Sequence, residues 1–315
     1  MQTRSPLVSP VLVLFLGILA VSTASIFIRY AQTEAPSLVI AAYRLALAAL
    51  FLAPIALTYR RAELINLRKR ELRLALLSGF FLAVHFAAWI SSLEYTTVAS
   101  SVVLVSTVPL WVALLSPFTI KEALTRPVLA GMVLALLGGI IVGVSDSCIW
   151  STAGLVCPDL DEFVRGEAFL GDLLALIGAI MAAGYLIIGR SLRARVSLVS
   201  YIFVVYGMAA IVLVTIMFVA GHSPFGYSPM IYAWFVALAL VPQLLGHSTY
   251  NWALEYLSAA YVSIALLGEP IGSTILAYIF LEESPTLLKV FGAILILTGI
   301  YTASRSEVKD AEGEI

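Results

Sequence analysis

The stretch LEYTTVASSVVLVSTVPLWVALLSPFTIKEALTRPVLAGMVLALLGG at 93–139 decides the fold, because LEYLSAAYVSIALLGEPIGSTILAYIFLEESPTLLKVFGAILILTGI at 254–300 repeats it at an offset of 161 residues without a gap. Chance alignment of apolar segments matches Leu and Ala, but it rarely also matches Glu, Tyr, Pro and Gly in register. A fixed period indicates duplication of one structural unit. Identities at this offset include Leu93/Leu254, Glu94/Glu255, Tyr95/Tyr256, Ala99/Ala260, Pro109/Pro270, Leu115/Leu276, Glu122/Glu283, Thr125/Thr286, Gly131/Gly292, Leu134/Leu295 and Gly138/Gly299, and Arg29 pairs with Arg190.

Composition indicates a membrane protein. Of the 315 residues, 61% are hydrophobic and 12% are charged, and the mean hydropathy is +1.02. A water-soluble domain carries about 25% charged residues. Apolar runs long enough to cross the ~30 Å hydrocarbon core as a helix recur along the chain. We predict ten such runs, at about 8–28, 36–58, 72–92, 97–119, 127–145, 169–189, 198–220, 230–251, 258–281 and 286–304.

The basic residues sort to one side of the predicted helices. Fourteen of the eighteen Lys and Arg residues lie in loops or termini on one side, three lie on the other, and Arg44 lies inside the second run. The positive-inside rule then places both termini in the cytoplasm. Each copy of the repeat holds five helices, an odd number, so the second copy enters the membrane inverted. The predicted fold is an all-α integral membrane protein with ten transmembrane helices as two inverted five-helix repeats.

The domain organisation follows from this count. We predict a first repeat at 8–145, an external acidic loop at 146–168, a second repeat at 169–304 and a cytoplasmic tail at 305–315. Inverted repeats are a building plan of secondary transporters, whose substrate site lies near the membrane midplane between the copies. The pattern predicts transport by alternating access, in which the two copies rock around a shared cavity.

The external loop holds both cysteines, Cys148 and Cys157. An oxidising exterior would permit a disulfide that closes this short loop. The alternative is two free thiols that never meet. Two cysteines without a pair of histidines do not make a zinc site, so no metal is expected.

Polar side chains inside predicted helices point to a cavity, because they are costly in lipid and tend to face another helix or water. Trp89 of the third run and Tyr250 of the eighth are repeat counterparts, which would place an aromatic ring on each side of the site. Aromatic walls with a few polar groups suit small organic ligands, including cations. The predicted substrate-binding residues are Ser22, His85, Trp89, Thr107, Tyr185, Gln243, His247, Tyr250, Tyr261 and Glu269.

Each of these residues has a structural alternative. A Ser or Thr in a helix often bonds the carbonyl of the preceding turn, and Trp89 could serve packing alone. Arg29 and Arg190 lie near helix ends, where they could extend to the lipid headgroups. Arg44 could be a structural charge paired with a carbonyl or with a carboxylate such as Glu94.

Two prolines and two glycines have conformational interpretations. Pro109 and Pro270 occupy matching depths in the two copies, and each frees a backbone carbonyl one turn earlier, so we predict a hinge at both. Gly139 and Gly143 have the spacing that allows close helix packing.

The energy source is constrained by what the sequence lacks. No G-x-x-x-x-G-K-[ST] loop occurs and the cytoplasmic loops are too short for a nucleotide-binding domain, so ATP is not the direct energy source. His85, His247 and Glu269 are the proton-coupling candidates, because they are ionisable and lie in predicted helices. Uniport down a metabolite gradient fits the sequence equally well.

Both copies of the repeated unit resemble the EamA repeat of the drug/metabolite transporter superfamily. The similarity lies in LGEPIGSTILAYIFLEESPTLLKVFGAILILTGIYTAS at 267–304, in VSTVPLWVALLSPFTIKEALTRPVLAGMVLALLGGIIVG at 105–143 and in LVIAAYRLALAAL at 38–50. The resemblance implies a ten-helix basket with a central cavity lined by helices 1, 3, 4, 6, 8 and 9. It also implies a bacterial inner-membrane exporter of amino acids and related metabolites. The chain departs from an even duplication at Arg44, whose counterpart is Val205.

The predicted function is a secondary transporter that exports small metabolites such as amino acids across the cytoplasmic membrane. The alternative within transport is a permease for purines, organic cations or other drug-like solutes. An intramembrane enzyme would need a nucleophile–base pair or metal ligands at helical spacing, which the sequence lacks, so no catalytic residue and no cofactor are expected. A receptor or scaffold does not need a duplicated inverted unit. The expected partners are a small-molecule substrate and the lipid bilayer, without nucleic acid, and the expected state is a monomer.

Overall fold

A computed structural model describes residues 8–119, 126–147, 149–151, 154–156, 164–257, 262 and 265–312. Helices dominate this part of the chain. A nine-residue π-helical segment, Ala239–His247, continues α11 directly into α12. The α-helices are α1 (Pro10–Ser22), α2 (Ala24–Ala31), α3 (Ser37–Tyr59), α4 (Arg61–Ile65), α5 (Lys69–Tyr95), α6 (Val98–Val105), α7 (Val108–Thr119), α8 (Arg126–Ser147), α9 (Glu167–Arg193), α10 (Leu198–Val219), α11 (Pro229–Leu238), α12 (Ser248–Ala253), α13 (Gly268–Leu281) and α14 (Leu287–Glu312).

Helical stretches long and apolar enough to cross a membrane number seven among the described residues. They are Leu12–Ala31, Ser37–Tyr59, Lys69–Tyr95, Val98–Leu115, Glu167–Arg193, Leu198–Val219 and Pro229–Ala253. Three shorter apolar helices, Leu129–Val142, Gly268–Leu281 and Leu287–Gly299, coincide with the other predicted runs. The structure is therefore that of a multi-spanning helical membrane protein, and the count of ten spans remains a prediction.

The described residues are all-α as predicted, apart from a short hairpin in the loop between the repeats. Strands β1 (Ile149–Ser151) and β2 (Gly154–Val156) pair there as an antiparallel hairpin, with Ile149 opposite Val156. Isoleucine, tryptophan and valine favour strands. Cys148 and Cys157 flank this hairpin in sequence and lie outside the described residues, so their pairing remains a prediction.

Several long helical stretches are interrupted where polar residues bond the backbone. Thr23 separates α1 from α2 and donates its hydroxyl to the carbonyl of Ala20 at 2.7 Å. Ser106 and Thr107 separate α6 from α7, directly before Pro109, which has no N–H to continue the helix. The π-helical segment contains Pro242. Interrupted helices of this kind occur at membrane depth where the backbone lines a cavity or packs within protein.

Helices α8 and α14 meet through glycines that are repeat counterparts. A Cβ on Gly138 would lie 2.6 Å from the carbonyl oxygen of Gly292, and one on Gly299 would lie 2.5 Å from that of Gly131. The sequence rises along one helix as it falls along the other, so the two helices are antiparallel. Small residues let the backbones touch. A Cβ on Gly139 would meet only Leu104, at 3.7 Å, so that residue of the predicted Gly139–Gly143 pair does not form the helix contact.

The bundle interior is built largely from helix pairs that combine the two repeats. Helix α9 packs along α5, where Gly171 faces Thr96 and Gly184 faces Phe81. Helix α1 packs in the same way along the π-helical segment and α12, where Gly17 faces Thr249.

Two ends of the bundle are fixed by charged side chains. At what we call the Arg29 end, Arg29 donates to the carbonyl of Leu93 at 2.6 Å and forms an ion pair with Glu283 at 2.9 Å. Glu283 also accepts from the backbone N–H of Val98 at 2.9 Å, which begins α6. The Arg29 end thus joins residues of both repeats.

At the opposite end, the Arg190 end, Arg190 donates to the carbonyl of Leu254 at 2.7 Å. Arg193 donates to the carbonyl of Asn251 at 2.9 Å and forms an ion pair with Glu255 at 2.5 Å. These contacts stay within the second repeat.

Two carboxylates of the first repeat bind the first residues of helices in the second. Glu34 accepts from the N–H and hydroxyl of Ser228 before α11, both at 2.8 Å, and these hydrogen bonds lower the pKa of Glu34. Glu63 accepts from the N–H and hydroxyl of Ser197 before α10, at 2.7 and 2.6 Å, and from the hydroxyl of Ser200. Burial raises the pKa of Glu63, but the hydrogen bonds from both serines outweigh it, so that pKa lies below its usual value.

Candidate functional site

A cavity lies between helices of both repeats, inside the bundle. It is bounded by α5, the interruption between α6 and α7, α9, the end of the π-helical segment, α12 and the start of α13. Its lining residues are His85, Trp89, Val105, Ser106, Val108, Ala182, Tyr185, Leu186, His247, Tyr250, Leu266 and Glu269. The walls are aromatic and aliphatic, with a few polar groups, which is the usual composition of a small-molecule site.

His85 is held in place by the neighbouring helix. Its Nδ1 donates to the backbone carbonyl of Gly178 at 2.9 Å, because Gly178 lets α9 approach α5 closely. The imidazole stacks on Trp89, with ring centroids 6.0 Å apart and planes 12° apart. With Nδ1 engaged by a carbonyl, Nε2 is the nitrogen that can exchange a hydrogen bond with a ligand.

The opposite wall comes from the π-helical segment and the turn after it. His247 ends that segment, 5.2 Å from the ring of Phe86 and 5.6 Å from that of Tyr250. π-Helical turns recur at functional sites because they change which side chains share a face. Here the segment brings Gln243 and His247 to the side of the first repeat, near Arg44 and His85.

Tyr185 accepts a hydrogen bond from Asn251. Asn251 Nδ2 donates to the phenolic oxygen of Tyr185 at 2.5 Å and also to the carbonyl of His247 at 2.9 Å. The bond joins α9 to α12 and fixes one edge of the cavity.

Arg44 is the residue whose role the sequence reasoning missed. It is fully buried, and its Nε donates to Gln243 Oε1 at 2.8 Å. Its Cζ lies 4.2 Å from the ring centroid of Phe86 and 5.8 Å from that of Trp89, within range of a cation–π attraction. The suggested pairing with Glu94 is wrong, because Glu94 accepts from the backbone N–H of Ser37 at 3.0 Å. The available signal was a charge in the middle of an apolar run.

Glu269 is the carboxylate of the cavity wall. It lies in the first turn of α13, where the partial positive charge of a helix N-terminus favours an anion. Arg44 and Glu269 attract each other electrostatically, but among the described residues they form no ion pair within 4.0 Å. A buried cation behind the cavity wall and a carboxylate on that wall are therefore present without an ion pair between them.

Several buried polar atoms around the cavity have no hydrogen-bond partner among the described residues. They are Trp89 Nε1, Arg44 Nη1 and Nη2, Tyr250 Oη and His247 Nδ1. The tryptophan and arginine nitrogens can only donate, and the tyrosine hydroxyl can donate or accept. Buried polar groups in proteins are normally hydrogen-bonded, so this concentration marks a place where a ligand can contribute.

The structure brings six of the ten predicted binding residues to the cavity wall: His85, Trp89, Tyr185, His247, Tyr250 and Glu269. Their contact with a substrate remains a prediction. Gln243 is buried beside the wall and holds Arg44, and Tyr261 lies outside the described residues.

Ser22 and Thr107 follow the structural alternative, since their hydroxyls donate to the carbonyls of Ile18 at 2.8 Å and Leu104 at 2.7 Å. The small and aliphatic lining residues, such as Ser106 and Ala182, carry no sequence signal that separates them from packing residues. Pro109 and Pro270 lie in the first turns of α7 and α13, beside the cavity, and their hinge role remains a prediction.

The model of the EamA-like transporter family matches the chain twice, at residues 8–144 and 169–305. The chain belongs to the EamA-like transporter family. It is therefore a multi-pass membrane transporter of the drug/metabolite transporter superfamily, located in the cell membrane, and the two matched ranges coincide with the two copies of the repeat.

Individual relatives are distant. The chain is 22% identical over 300 residues to the pseudopaline exporter CntI of Pseudomonas aeruginosa, covering 95% of this chain and 97% of that protein. It is 22% identical over 237 residues to an uncharacterised transporter of Archaeoglobus fulgidus, covering 75% and 77%. A solved crystal structure that is 18% identical superposes with a TM-score of 0.63 over 93% of this chain and 96% of that one, which supports the fold.

Proposed function

We propose that this EamA-family protein is a secondary transporter that exports small metabolites such as amino acids across the cytoplasmic membrane by alternating access. The observation that carries the proposal is the cavity between the repeats, which has aromatic walls, two histidines and a carboxylate inside a membrane-spanning bundle. A polar, ionisable interior is costly in a membrane and is retained where solutes pass.

The proposed architecture is ten transmembrane helices in two inverted five-helix repeats. Equivalent contacts support it: Arg29 and Arg190 donate to the carbonyls of the counterparts Leu93 and Leu254. The contact of Gly138 with Gly292 likewise corresponds to that of Gly299 with Gly131. A two-fold axis between the copies generates such reciprocal pairs. With the basic loops inside, both termini are cytoplasmic.

Export is the proposed direction because a relative that matches nearly the full length is named as an exporter. Amino acids are proposed as substrates because the cavity combines hydrogen-bond donors and acceptors with aromatic surface. The alternative, a permease for organic cations, is favoured by Glu269 and the aromatic rings of Trp89 and Tyr250, which together attract a cation.

Proton coupling is proposed to run through His85, His247 and Glu269, which line the same cavity. Facilitated diffusion is the competing mechanism. An imposed pH gradient across proteoliposomes separates the two: coupling predicts a rate that changes with the sign of the gradient, and an unaltered rate excludes it.

The proposed function is tested by counterflow of labelled solutes into proteoliposomes that contain the purified protein. Amino acids, nucleobases and organic cations form the panel, and Trp89→Ala with Tyr250→Ala is the matched inactive variant. We expect uptake of amino acids that the double variant loses while it still elutes as a folded species. Uptake of nucleobases or cations alone would reject the amino-acid proposal.

A further inference from the structure

We propose that Arg44 and Glu269 are the two charged poles of one substrate site, at which Arg44 takes the carboxylate and Glu269 the ammonium of a zwitterion. This inference rests on the proposed transport function and specifies the ionic form of its substrate. Glu269 lines the cavity, whereas Arg44 is not part of its wall and lies behind the rings of Phe86 and Trp89.

The state of Arg44 shows that its interactions are incomplete. A fully buried guanidinium has one hydrogen bond, to a neutral amide oxygen, and two aromatic rings against its face. Burying a charge without a counter-ion and full hydrogen bonding is unfavourable. The ring contacts compensate in part, and Nη1 and Nη2 have no partner among the described residues.

The unpaired donors of Arg44 suit an anion. Two terminal guanidinium nitrogens form a planar fork that matches the two oxygens of a carboxylate. Trp89 Nε1 and Tyr250 Oη lie in the same cluster and are also free to donate. A group that satisfies this mostly donating set must supply acceptors, as a carboxylate does.

Glu269 provides the complementary pole. Its carboxylate belongs to the cavity wall, as does Tyr250, whose hydroxyl has no hydrogen-bond partner among the described residues. Aromatic rings close to a carboxylate suit an ammonium group. A zwitterion neutralises both poles at once, whereas a simple cation leaves Arg44 uncompensated and a simple anion does the same to Glu269.

A comparison of the two copies shows that neither of the two charges is duplicated in the described site. The counterpart of Arg44 is Val205, and that of Glu269 is Val108, which also lines the cavity. Duplication supplied the shell, and each copy contributed one charge. Because Arg44 has no exposed surface, the carboxylate reaches it when Trp89 changes rotamer, a side-chain movement that is common on ligand binding.

The test uses purified protein in proteoliposomes and L-phenylalanine as the labelled probe, since the walls are aromatic. L-phenylalaninamide lacks the carboxylate and 3-phenylpropanoate lacks the ammonium, so both serve as competitors of matched shape. We expect the wild type to prefer unlabelled phenylalanine over either competitor by about tenfold or more, the loss of one buried charge contact. The Arg44→Gln variant should lose the preference for phenylalanine over its amide.

A second variant keeps the arginine in place. Gln243→Glu puts a carboxylate where an amide oxygen now lies 2.8 Å from Arg44 Nε, so the guanidinium becomes internally neutralised. We expect it to lose the same preference, while Arg44→Lys retains it with weaker binding. Arg195→Gln, an exposed residue at the Arg190 end, is the control that should match the wild type.

The outcomes separate the two proposals. If the wild type moves phenylalanine and both the Arg44→Gln and Gln243→Glu variants keep the wild-type preference for acid over amide, the Arg44 pole is rejected and the transport proposal stands. If Arg44→Gln does not fold, Gln243→Glu decides by the same ratio. If the wild type moves the amide but not phenylalanine, amino-acid transport and the zwitterion site both fail.

Discussion

Arg29 in the first copy and Arg190 in the second make the same contact, because each donates to the carbonyl of a repeat-related leucine. Arg44 shares nothing with its counterpart, Val205. The comparison extends to other positions. Residues that are identical between the copies fix the bundle, as the α8 and α14 glycines do, whereas Glu269 of the cavity wall has Val108 as its counterpart.

The comparison separates contacts that both copies share from cavity residues that differ between them. A contact that both copies need for folding is retained in both, while a site between the copies is one site, to which each copy contributes different groups. The following predictions test that separation between shared scaffold and unshared cavity.

Replacing Glu269 by Val, the residue of the first copy, should have the largest effect on transport. It removes the carboxylate of the described cavity wall. We expect counterflow to fall by about tenfold or more, corresponding to at least about 1.4 kcal/mol, with folded protein retained. The same change at exposed Glu167 is the control, and near-normal counterflow by Glu269→Val would remove this carboxylate from the site.

Gly299→Ala should have the largest effect on stability, because its Cβ would lie 2.5 Å from the carbonyl oxygen of Gly131. Overpacking of this kind costs about 1–3 kcal/mol. Gly139→Ala, whose Cβ would meet only Leu104 at 3.7 Å, is the matched control and should unfold like the wild type. Thermal unfolding in detergent measures both, and equal midpoints would show that the glycine contact does not support the bundle.

Arg29→Gln should destabilise the protein more than Arg190→Gln, by about 1 kcal/mol, because of these two arginines only Arg29 forms an ion pair within the described part of the chain, in addition to the shared hydrogen bond. Thermal unfolding of the two variants in parallel measures the difference. Equal losses would indicate that Arg190 also has a carboxylate partner, for which the repeat designates Glu122, the counterpart of Glu283.

Acidification should release Glu63 from α10, with a smaller effect of about 1 kcal/mol or less. The folded-state pKa of Glu63 is lowered by its hydrogen bonds, so the stabilisation is present above the unfolded pKa of about 4.3 and is lost as the pH falls through the folded value. Unfolding midpoints between pH 7 and about pH 3.5 should decline less steeply for Glu63→Gln than for the wild type. Parallel curves would exclude this contribution.

The sequence predicted the family and the helical character of the chain, because identities at a fixed offset and apolar runs depend only on local patterns. It also placed Trp89 and Tyr250 on the same cavity, because counterpart positions in a duplicated unit occupy equivalent places. It could not find the partner of Arg44, since Gln243 is 199 positions away and helical periodicity assigns a face without naming the neighbour.

The interruptions in regular structure were equally hidden from the sequence. The π-helical segment at Ala239–His247 departs from the 3.6-residue period on which helical stripes are read. The hairpin that begins at Ile149 lies in an acidic loop, where a run of strand-favouring residues is too short to stand out.

Helix α9 packs along α5, and α1 packs along the π-helical segment, so each repeat shares interior faces with the other. We therefore do not expect the duplicated segment to move as an independent unit. Each long interior face belongs to a couple drawn from both copies, and Glu34 and Glu63 fasten second-repeat helices to the first at opposite ends. Separating the two repeats as rigid blocks would break these packed helix contacts. In the proposed transport cycle, we therefore expect the moving units to be helix pairs that combine the two repeats.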